Sequence, residues 1–170
     1  DVCATSHTLS QGIRQSGTYD LILCGKQTTD GDTAQVGAET AEFLGIAHGA
    51  NILEVLETGD TFVTVRMNLE NKIQTQKMEL PCLLTVDKDV NTPRLPSYKR
   101  RIGMDPGCIK VMGLDDLEDR DSGHYGLKGS PTQVERIFPP DKKTDKEIME
   151  GTGRELAQAM AAVLRKHKFI

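Results

Sequence analysis

Residues 20–45 read DLILCGKQTTDGDTAQVGAETAEFLG, and this stretch decides how the rest of the chain folds. Four consecutive apolar residues, 21–24, predict a short buried strand that ends at Gly25. A polar loop follows, and from Val36 onward apolar residues recur at helical spacing. A strand, a loop and a helix start are the arrangement that directs backbone N–H groups and a positive dipole end at a bound phosphate. The same pattern also fits an ordinary connection closed by an Asp or Thr N-cap.

The loop contains three glycines and two carboxylates with separate predicted roles. Gly25, Gly31 and Gly37 are predicted to let the backbone approach a ligand closely or adopt positive φ. Asp30 and Asp32 would repel a phosphate, so we predict that they cap the helix, or accept hydrogen bonds from a ribose or from loop amides, rather than act as acid and base.

Three separated segments of the chain resemble the β subunit of electron transfer flavoproteins. They are CGKQTTDGDTAQVG with AEFLG at 24–45, LPCLLTVDKDVNTPRLPS at 80–97, and GLKGSPTQVERIFPP at 126–140. Because the segments occur in the family's order, the resemblance extends over nearly the whole chain. It implies an α/β fold with a mainly parallel sheet flanked by helices, like that of the adenine nucleotide alpha hydrolases, and an appended antiparallel meander.

The resemblance also implies a nucleotide site in the loop. Carried over position by position, its shell is Gly25, Lys26, Asp30, Gly31, Asp32, Thr33, Ala34, Gln35, Val36 and Gly37. The amides of residues 34–37 would hold phosphate, and Gln35 would contact a phosphate or a flavin edge. In the family this site holds either a structural AMP or a second FAD. The run GDTAQVG at 31–37 is closer to the FAD-binding branch, so we predict FAD, with AMP as the alternative.

That FAD-binding branch takes hydride from NADH and divides the electron pair between a high-potential and a low-potential acceptor such as ferredoxin. The resemblance therefore implies an electron-transfer subunit of an oxidoreductase complex, and it leaves open whether the chain is itself an enzyme. The implied partners are an α subunit that carries the electron-transferring FAD and an acyl-CoA dehydrogenase-like protein. From the residues alone, a non-redox adenine-nucleotide-binding module or a scaffold without nucleotide would be the rival interpretations.

The segment after NTPR at 91–94 resembles the loop with which these proteins recognise a dehydrogenase. An aromatic residue beside arginines is also the combination that dominates interface energies. The predicted partner-binding residues are Arg94, Tyr98, Lys99, Arg100 and Arg101. A solvated basic loop is the alternative that the residues themselves leave open.

Composition narrows the function classes further. The net charge of −4 argues against a nucleic-acid-binding surface, and no apolar run reaches membrane-spanning length. The four cysteines are widely separated and form no CxxC pair, which favours reduced thiols and a cytoplasmic location. The family resemblance implies that the source is an anaerobic bacterium. Without a GxSxG or P-loop motif, no catalytic residue is predicted. The four histidines are isolated in sequence, so they are interpreted as structural or exposed, and no metal site is predicted.

The remaining elements follow from local patterns. We predict a helix over 2–15 that is capped by Asp1 and ended by Gly17, a strand at 82–86 in a central parallel position, and a helical turn at 114–117. Further predictions are a three-stranded meander at 51–57, 61–68 and 72–80, a strand at 133–138, and a last helix from Thr144 or Asp145 to Lys166. The resemblance places the first helix near the nucleotide, which makes Thr5 and Ser6 secondary candidates.

These elements suggest a domain organisation. Residues 1–140 are predicted to form the nucleotide-binding domain, with the meander at 50–80 and the recognition loop at 87–107, and residues 141–170 a C-terminal helical arm. Because the first residue is Asp rather than Met, we expect an N-terminal part of the subunit to be missing. The resemblance implies that this part supplies the first strands and one side of the pocket.

Overall fold

The computed structural model describes residues 1–139 and 147–170, and the chain divides into two units, Asp1–Gln133 and Val134–Ile170. The first unit contains α1 (Val2–Gln15), β1 (Leu21–Gly25), α2 (Val36–Leu44), β2 (Ala47–Thr58), β3 (Phe62–Leu69), β4 (Lys72–Glu79), β5 (Cys82–Val86) and α3 (Tyr98–Ile102). Three single 3-10 turns follow, at Pro106–Cys108, Leu114–Asp116 and Ser122–His124. The second unit contains α4 (Gly153–Lys166). Within the described residues, no helix is long and apolar enough to cross a membrane.

The five strands of the first unit form one sheet in the order β1-β5-β2-β3-β4. β5 is parallel to both of its neighbours, with Cys82 opposite Leu21 on one side and Ala47 on the other. Its first four residues are buried, which confirms the predicted central position. β2 and β3 are antiparallel, as are β3 and β4, so the described strands form a mixed sheet. The predicted α/β fold, with a parallel part and an appended antiparallel meander, is confirmed.

The antiparallel meander is confirmed, and it supplies five of the seven buried side chains in the main apolar cluster of the described residues. Along β3, Val63, Val65 and Met67 are buried while the residues between them are partly exposed. These side chains form one cluster with Ile52, Met78, Cys82 and Leu84. The alternation along β3 thus gives the meander one buried face and one partly exposed face.

β2 begins four residues earlier than predicted because it belongs to two pairings. Its first part is parallel to β5, and its second part is antiparallel to β3. The change occurs across an irregularity between Gly49 and Ile52, where Asn51 has a φ of 54°. The sequence AHGA at 47–50 has weak strand propensity, which explains why this part was not predicted.

β1 is a strand as predicted, but it is not buried. It lies at an edge of the sheet formed by the described strands, with β5 as its neighbour, and Leu23 is 60% exposed. An apolar run indicates a strand, but it does not reveal whether both faces and both edges are covered.

Of the helices in the first unit, α2 packs directly on the sheet, against β2 and β5, and α1 packs on α2. α1 has the predicted bounds: Asp1 Oδ1 accepts hydrogen bonds from the amides of Cys3 and Ala4, and the helix ends before Gly17, whose φ is +107°.

Two predictions for the C-terminal region are wrong. Residues 133–138 are irregular and exposed, because this segment pairs with none of the described strands. The last helix begins at Gly153, and residues 147–152 are not helical. Its start is set by a capping box, in which the Glu155 carboxylate accepts hydrogen bonds from the Thr152 amide and hydroxyl, each at 2.8 Å. The predicted caps, Thr144 and Asp145, lie outside the described residues.

The capping box makes the start of α4 dependent on pH. The Thr152 amide, and next its hydroxyl, lower the pKa of Glu155 below its ordinary 4.5. Because the folded pKa is depressed, the stabilisation is present above the unfolded pKa and is lost as pH falls through the folded one. We expect the NMR shift of the Thr152 amide to titrate with a midpoint below 4.5.

Glu155→Gln is the control for this titration, because glutamine keeps an acceptor but has no charge. The variant should abolish the pH dependence of the Thr152 amide shift. A midpoint at or above 4.5 in the unmodified chain would contradict the prediction.

Candidate nucleotide-binding site

The loop between β1 and α2 lies at the carboxyl ends of two parallel strands. The Lys26 amide donates to the Val86 carbonyl at 2.9 Å, which ties the start of the loop to the end of β5. Lys26 Nζ also lies 3.5 Å from Asp87 Oδ2, just beyond the same strand. In α/β sheets, ligands bind outside the carboxyl ends of parallel strands, so this loop occupies the expected place for a ligand.

The first turn of α2 offers backbone N–H groups to an anion. Its N-cap is Gln35, whose side chain makes no capping hydrogen bond. Ala34 has a φ of 55° and Gln35 lies in the right-handed helical region, a pairing that turns successive N–H groups toward one point. The ordinary connection closed by an Asp or Thr cap is therefore not what this chain forms.

Among the loop glycines, Gly37 has a different role from the one predicted. A Cβ on Gly37 would lie 2.3 Å from Thr85 Cγ2, so this glycine allows α2 to pack closely on β5 rather than allowing a ligand to approach. A Cβ on Gly25 would meet nothing within 4 Å, which leaves open space beside the loop. Positive φ occurs at Asp32 and Ala34 rather than at a loop glycine.

The two loop carboxylates are exposed and are not helix caps. The Thr28 hydroxyl, followed by nearby amides, lowers the pKa of Asp30. Asp32 accepts a hydrogen bond from Gln27 Nε2. Of the roles predicted for this pair, capping is therefore wrong, a hydrogen bond from the Gly31 amide to Asp30 is present, and ribose contact stays a prediction.

The hydroxyls of α1 are engaged within the protein. The side chain of Ser6 is fully buried and donates to the Val36 carbonyl at 3.2 Å. Thr5 Oγ1 donates to the Asp1 carbonyl at 2.9 Å. Ser6 thus ties α1 to the first turn of α2, and it supports the candidate site without facing it.

The predicted partner-binding residues lie on and before α3. Ser97 caps this helix through a hydrogen bond from the Arg100 amide, and every residue of 91–103 is exposed. Leu95 is 91% exposed and Tyr98 is 79% exposed. The segment therefore presents an apolar residue and an aromatic ring beside three basic side chains.

A group of polar side chains on α1 and the loop at 119–125 was not predicted from the sequence, because its members are far apart in the chain. His7 and His124 both contact the carboxylate of Asp119, and the rings of His7 and Tyr125 lie 5.2 Å apart. A hydrogen bond from the Asp121 amide, followed by the one from His124, lowers the pKa of Asp119. The hydrogen bond to Asp119 in turn raises the pKa of His124.

Comparison with known proteins identifies the family. Residues 1–112 match the electron transfer flavoprotein domain. The chain is 36% identical over 170 residues to the electron transfer flavoprotein subunit beta of Clostridium acetobutylicum, with 100% of this chain and 64% of that protein covered. It is 34% identical over 171 residues to the caffeyl-CoA reductase-Etf complex subunit CarD of Acetobacterium woodii, with 100% and 64% covered.

A third relative is named for a different reductase. The chain is 33% identical over 175 residues to the acryloyl-CoA reductase electron transfer subunit gamma of Anaerotignum propionicum, with 98% of this chain and 65% of that protein covered. The chain thus spans slightly less than two thirds of the length of these relatives. The domain match and the identity over its full length show that the chain belongs to the electron transfer flavoprotein β-subunit family.

Proposed function

We propose that this chain binds FAD through the loop at 25–37 and, joined to an α subunit, passes electrons from NADH to an acyl-CoA dehydrogenase-like partner and a low-potential acceptor. The observation that carries the proposal is the first turn of α2, where Gln35 makes no side-chain cap. A helix start with free N–H groups and a positive dipole end is suited to a diphosphate.

The positive φ of Ala34 supports the same assignment. A non-glycine residue in the left-handed region is destabilised by roughly 1 kcal/mol or more, and such strain concentrates at ligand sites. In our proposal the amides that follow Ala34 bind the phosphate, and the space beside Gly25, where a Cβ would meet nothing within 4 Å, accommodates the ligand. The residues present thus fit a bound nucleotide phosphate.

FAD is favoured over AMP for two reasons. Gly31, Thr33 and Ala34 are small, so they leave room for a diphosphate and a second ring system. Two relatives are named as parts of caffeyl-CoA and acryloyl-CoA reductase systems. When bound, FAD would supply the hydride and one-electron chemistry, while the protein would bind and orient it. The α2 amides would hold its phosphates, and Gln35 would contact a phosphate or the flavin edge.

Counting nucleotides in the intact heterodimer tests this proposal. The complex that contains this chain is denatured, and the released nucleotides are separated by chromatography and quantified. Two FAD per heterodimer are expected, one from each subunit. One FAD and one AMP would replace the proposal with a conventional electron carrier, and the absence of any adenine nucleotide would remove the site. AMP without flavin would favour the non-redox module instead.

Gly25→Ala is expected to lower the affinity of the heterodimer for FAD about tenfold, which corresponds to a loss of about 1.4 kcal/mol in binding free energy. The added methyl meets no protein atom within 4 Å, so it should leave stability unchanged while it intrudes on the space assigned to the ligand. Equilibrium dialysis with FAD measures the change.

Gly153→Ala is the matched control, because its Cβ also meets nothing within 4 Å and it lies at the start of α4. This variant should retain nucleotide like the unmodified protein. Equal retention by both variants would place the ligand elsewhere.

A further inference from the structure

Three side chains of metal-ligating type meet where α1 contacts the loop after the turn at Leu114–Asp116. One donor atom from each of His7, Asp119 and His124 lies within 4.8 Å of the other two. His7 Nε2 is 3.0 Å from Asp119 Oδ2, and His124 Nδ1 is 2.6 Å from the same oxygen. Two imidazoles and one carboxylate are the donors found at three-ligand zinc sites.

The central carboxylate is held in place by its own backbone contacts. Asp119 Oδ1 accepts from the Asp121 amide at 3.0 Å, which leaves Oδ2 to face the two imidazoles. The Asp119 amide donates at 3.1 Å to the side chain of Gln11, which is 6% exposed, and its carbonyl accepts from the Tyr125 hydroxyl. Such outer contacts orient the ligands of metal sites and tune their affinity.

The surroundings leave room for further ligands. A pocket of about 340 Å³ is lined by the three side chains together with Cys3, Ala4, Phe43 and Gly129. The side chain of His7 is 16% exposed, that of Asp119 is 24% exposed and that of His124 is 59% exposed. The cluster therefore forms part of the pocket wall and is accessible to an ion from solvent through His124.

We propose that His7, Asp119 and His124 bind a divalent transition metal of the zinc class, with water in the position that opens to the pocket. Tetrahedral bonds of about 2.0–2.2 Å place neighbouring donors about 3.3–3.5 Å apart. The observed separations of 3.0 and 2.6 Å need to widen by less than 1 Å to accept an ion. Asp121 Oδ2 lies 3.9 Å from His124 Nε2, on the other side of that ring, so its negative charge would add to the attraction for a cation.

The bound ion would join two segments that are distant in the chain. His7 belongs to α1, whereas Asp119 and His124 belong to an irregular loop with a single 3-10 turn. A ligand that binds only the folded state stabilises it by mass action. Metal would thus fix the loop at 119–124 on α1, and this role does not depend on which nucleotide the chain binds.

The test is a titration of the full chain with Zn²⁺ after chelation and removal of any affinity tag. Calorimetry should show one equivalent bound with a dissociation constant at or below about 10 μM, near −7 kcal/mol. Zn²⁺ should also raise the melting temperature, and Co²⁺ should give visible d–d absorption with imidazole ligands. Cys3→Ser and Cys108→Ser in the starting protein exclude coordination by a pocket thiol or an exposed one.

Substitutions distinguish Zn²⁺ binding at this site from nonspecific Zn²⁺ binding. His124→Gln alters a largely exposed side chain, so it should fold normally yet weaken Zn²⁺ binding at least tenfold and abolish the rise in melting temperature. His167→Gln, at another exposed histidine, is the matched control and should change neither. Failure to bind Zn²⁺ at 100 μM, about ten times the expected dissociation constant, would overturn the proposal and leave the cluster as a hydrogen-bonded contact between α1 and the loop. Zn²⁺ binding that His124→Gln does not weaken would also overturn it.

Discussion

Gly37→Ala is expected to lower the free energy of unfolding by about 2 kcal/mol, as overpacking of a close contact does. The new Cβ would lie 2.3 Å from Thr85 Cγ2, a separation that requires α2 or β5 to move. Thr85 cannot rotate away without loss, because its side chain is 3% exposed and its Oγ1 accepts from the Asn51 amide at 3.2 Å. Chemical denaturation of the chain measures the change.

A second substitution distinguishes this contact from a general intolerance of Gly37. Thr85→Ser removes Cγ2 but keeps the hydroxyl that binds the Asn51 amide. In the double variant the remaining neighbours are Leu83 Cδ2 at 3.5 Å and Cys24 Cβ at 3.7 Å, which are ordinary contacts. The double variant should be more stable than the sum of the two single changes predicts, with a coupling of about 1 kcal/mol. Simple additivity would show that the Gly37–Thr85 contact does not control how α2 packs.

Predictions from the sequence succeeded where one local pattern determines the structure. Asp1 as an N-cap and Gly17 beyond the end fixed α1 to the residue, and the alternating pattern at 51–80 predicted the three strands of the meander. They failed where a segment depends on a distant one. The apolar residues at 133–138 suit a strand, but no described strand pairs with them.

In the candidate site, too, features set by local sequence were predictable and features set by distant residues were not. The position of the loop before α2 was predictable, since a strand, glycines and a helix start occur together in sequence. The roles within it were not: Gly37 faces Thr85, which lies on another strand, and positive φ occurs at Asp32 and Ala34. His7 and Asp119 are 112 positions apart, so no spacing rule could have placed them in contact.

Tyr98→Ala is expected to raise about thirtyfold the concentration of acyl-CoA dehydrogenase at which the heterodimer transfers electrons at half its maximal rate, equivalent to about 2 kcal/mol. The ring is 79% exposed at the start of α3, and Arg94 and the basic run at 99–101 surround it in sequence. We expect this exposed ring to pack against the dehydrogenase at the predicted contact, and the neighbouring cations to orient the approach of an acidic surface.

The measurement is the rate of electron transfer from the purified heterodimer as a function of dehydrogenase concentration. Val111→Ala is the matched control, because Val111 is 87% exposed and lies beyond the predicted recognition loop at 87–107. Both variants should keep their nucleotide content and unfold like the unmodified protein, since neither side chain is packed. Arg101→Gln should act differently from Tyr98→Ala, reducing the association rate at low salt and little at high salt, because long-range attraction between exposed charges is screened. If Tyr98→Ala and Val111→Ala behave alike, the segment at 87–107 is a solvated basic loop, and the partner dehydrogenase is recognised by another surface.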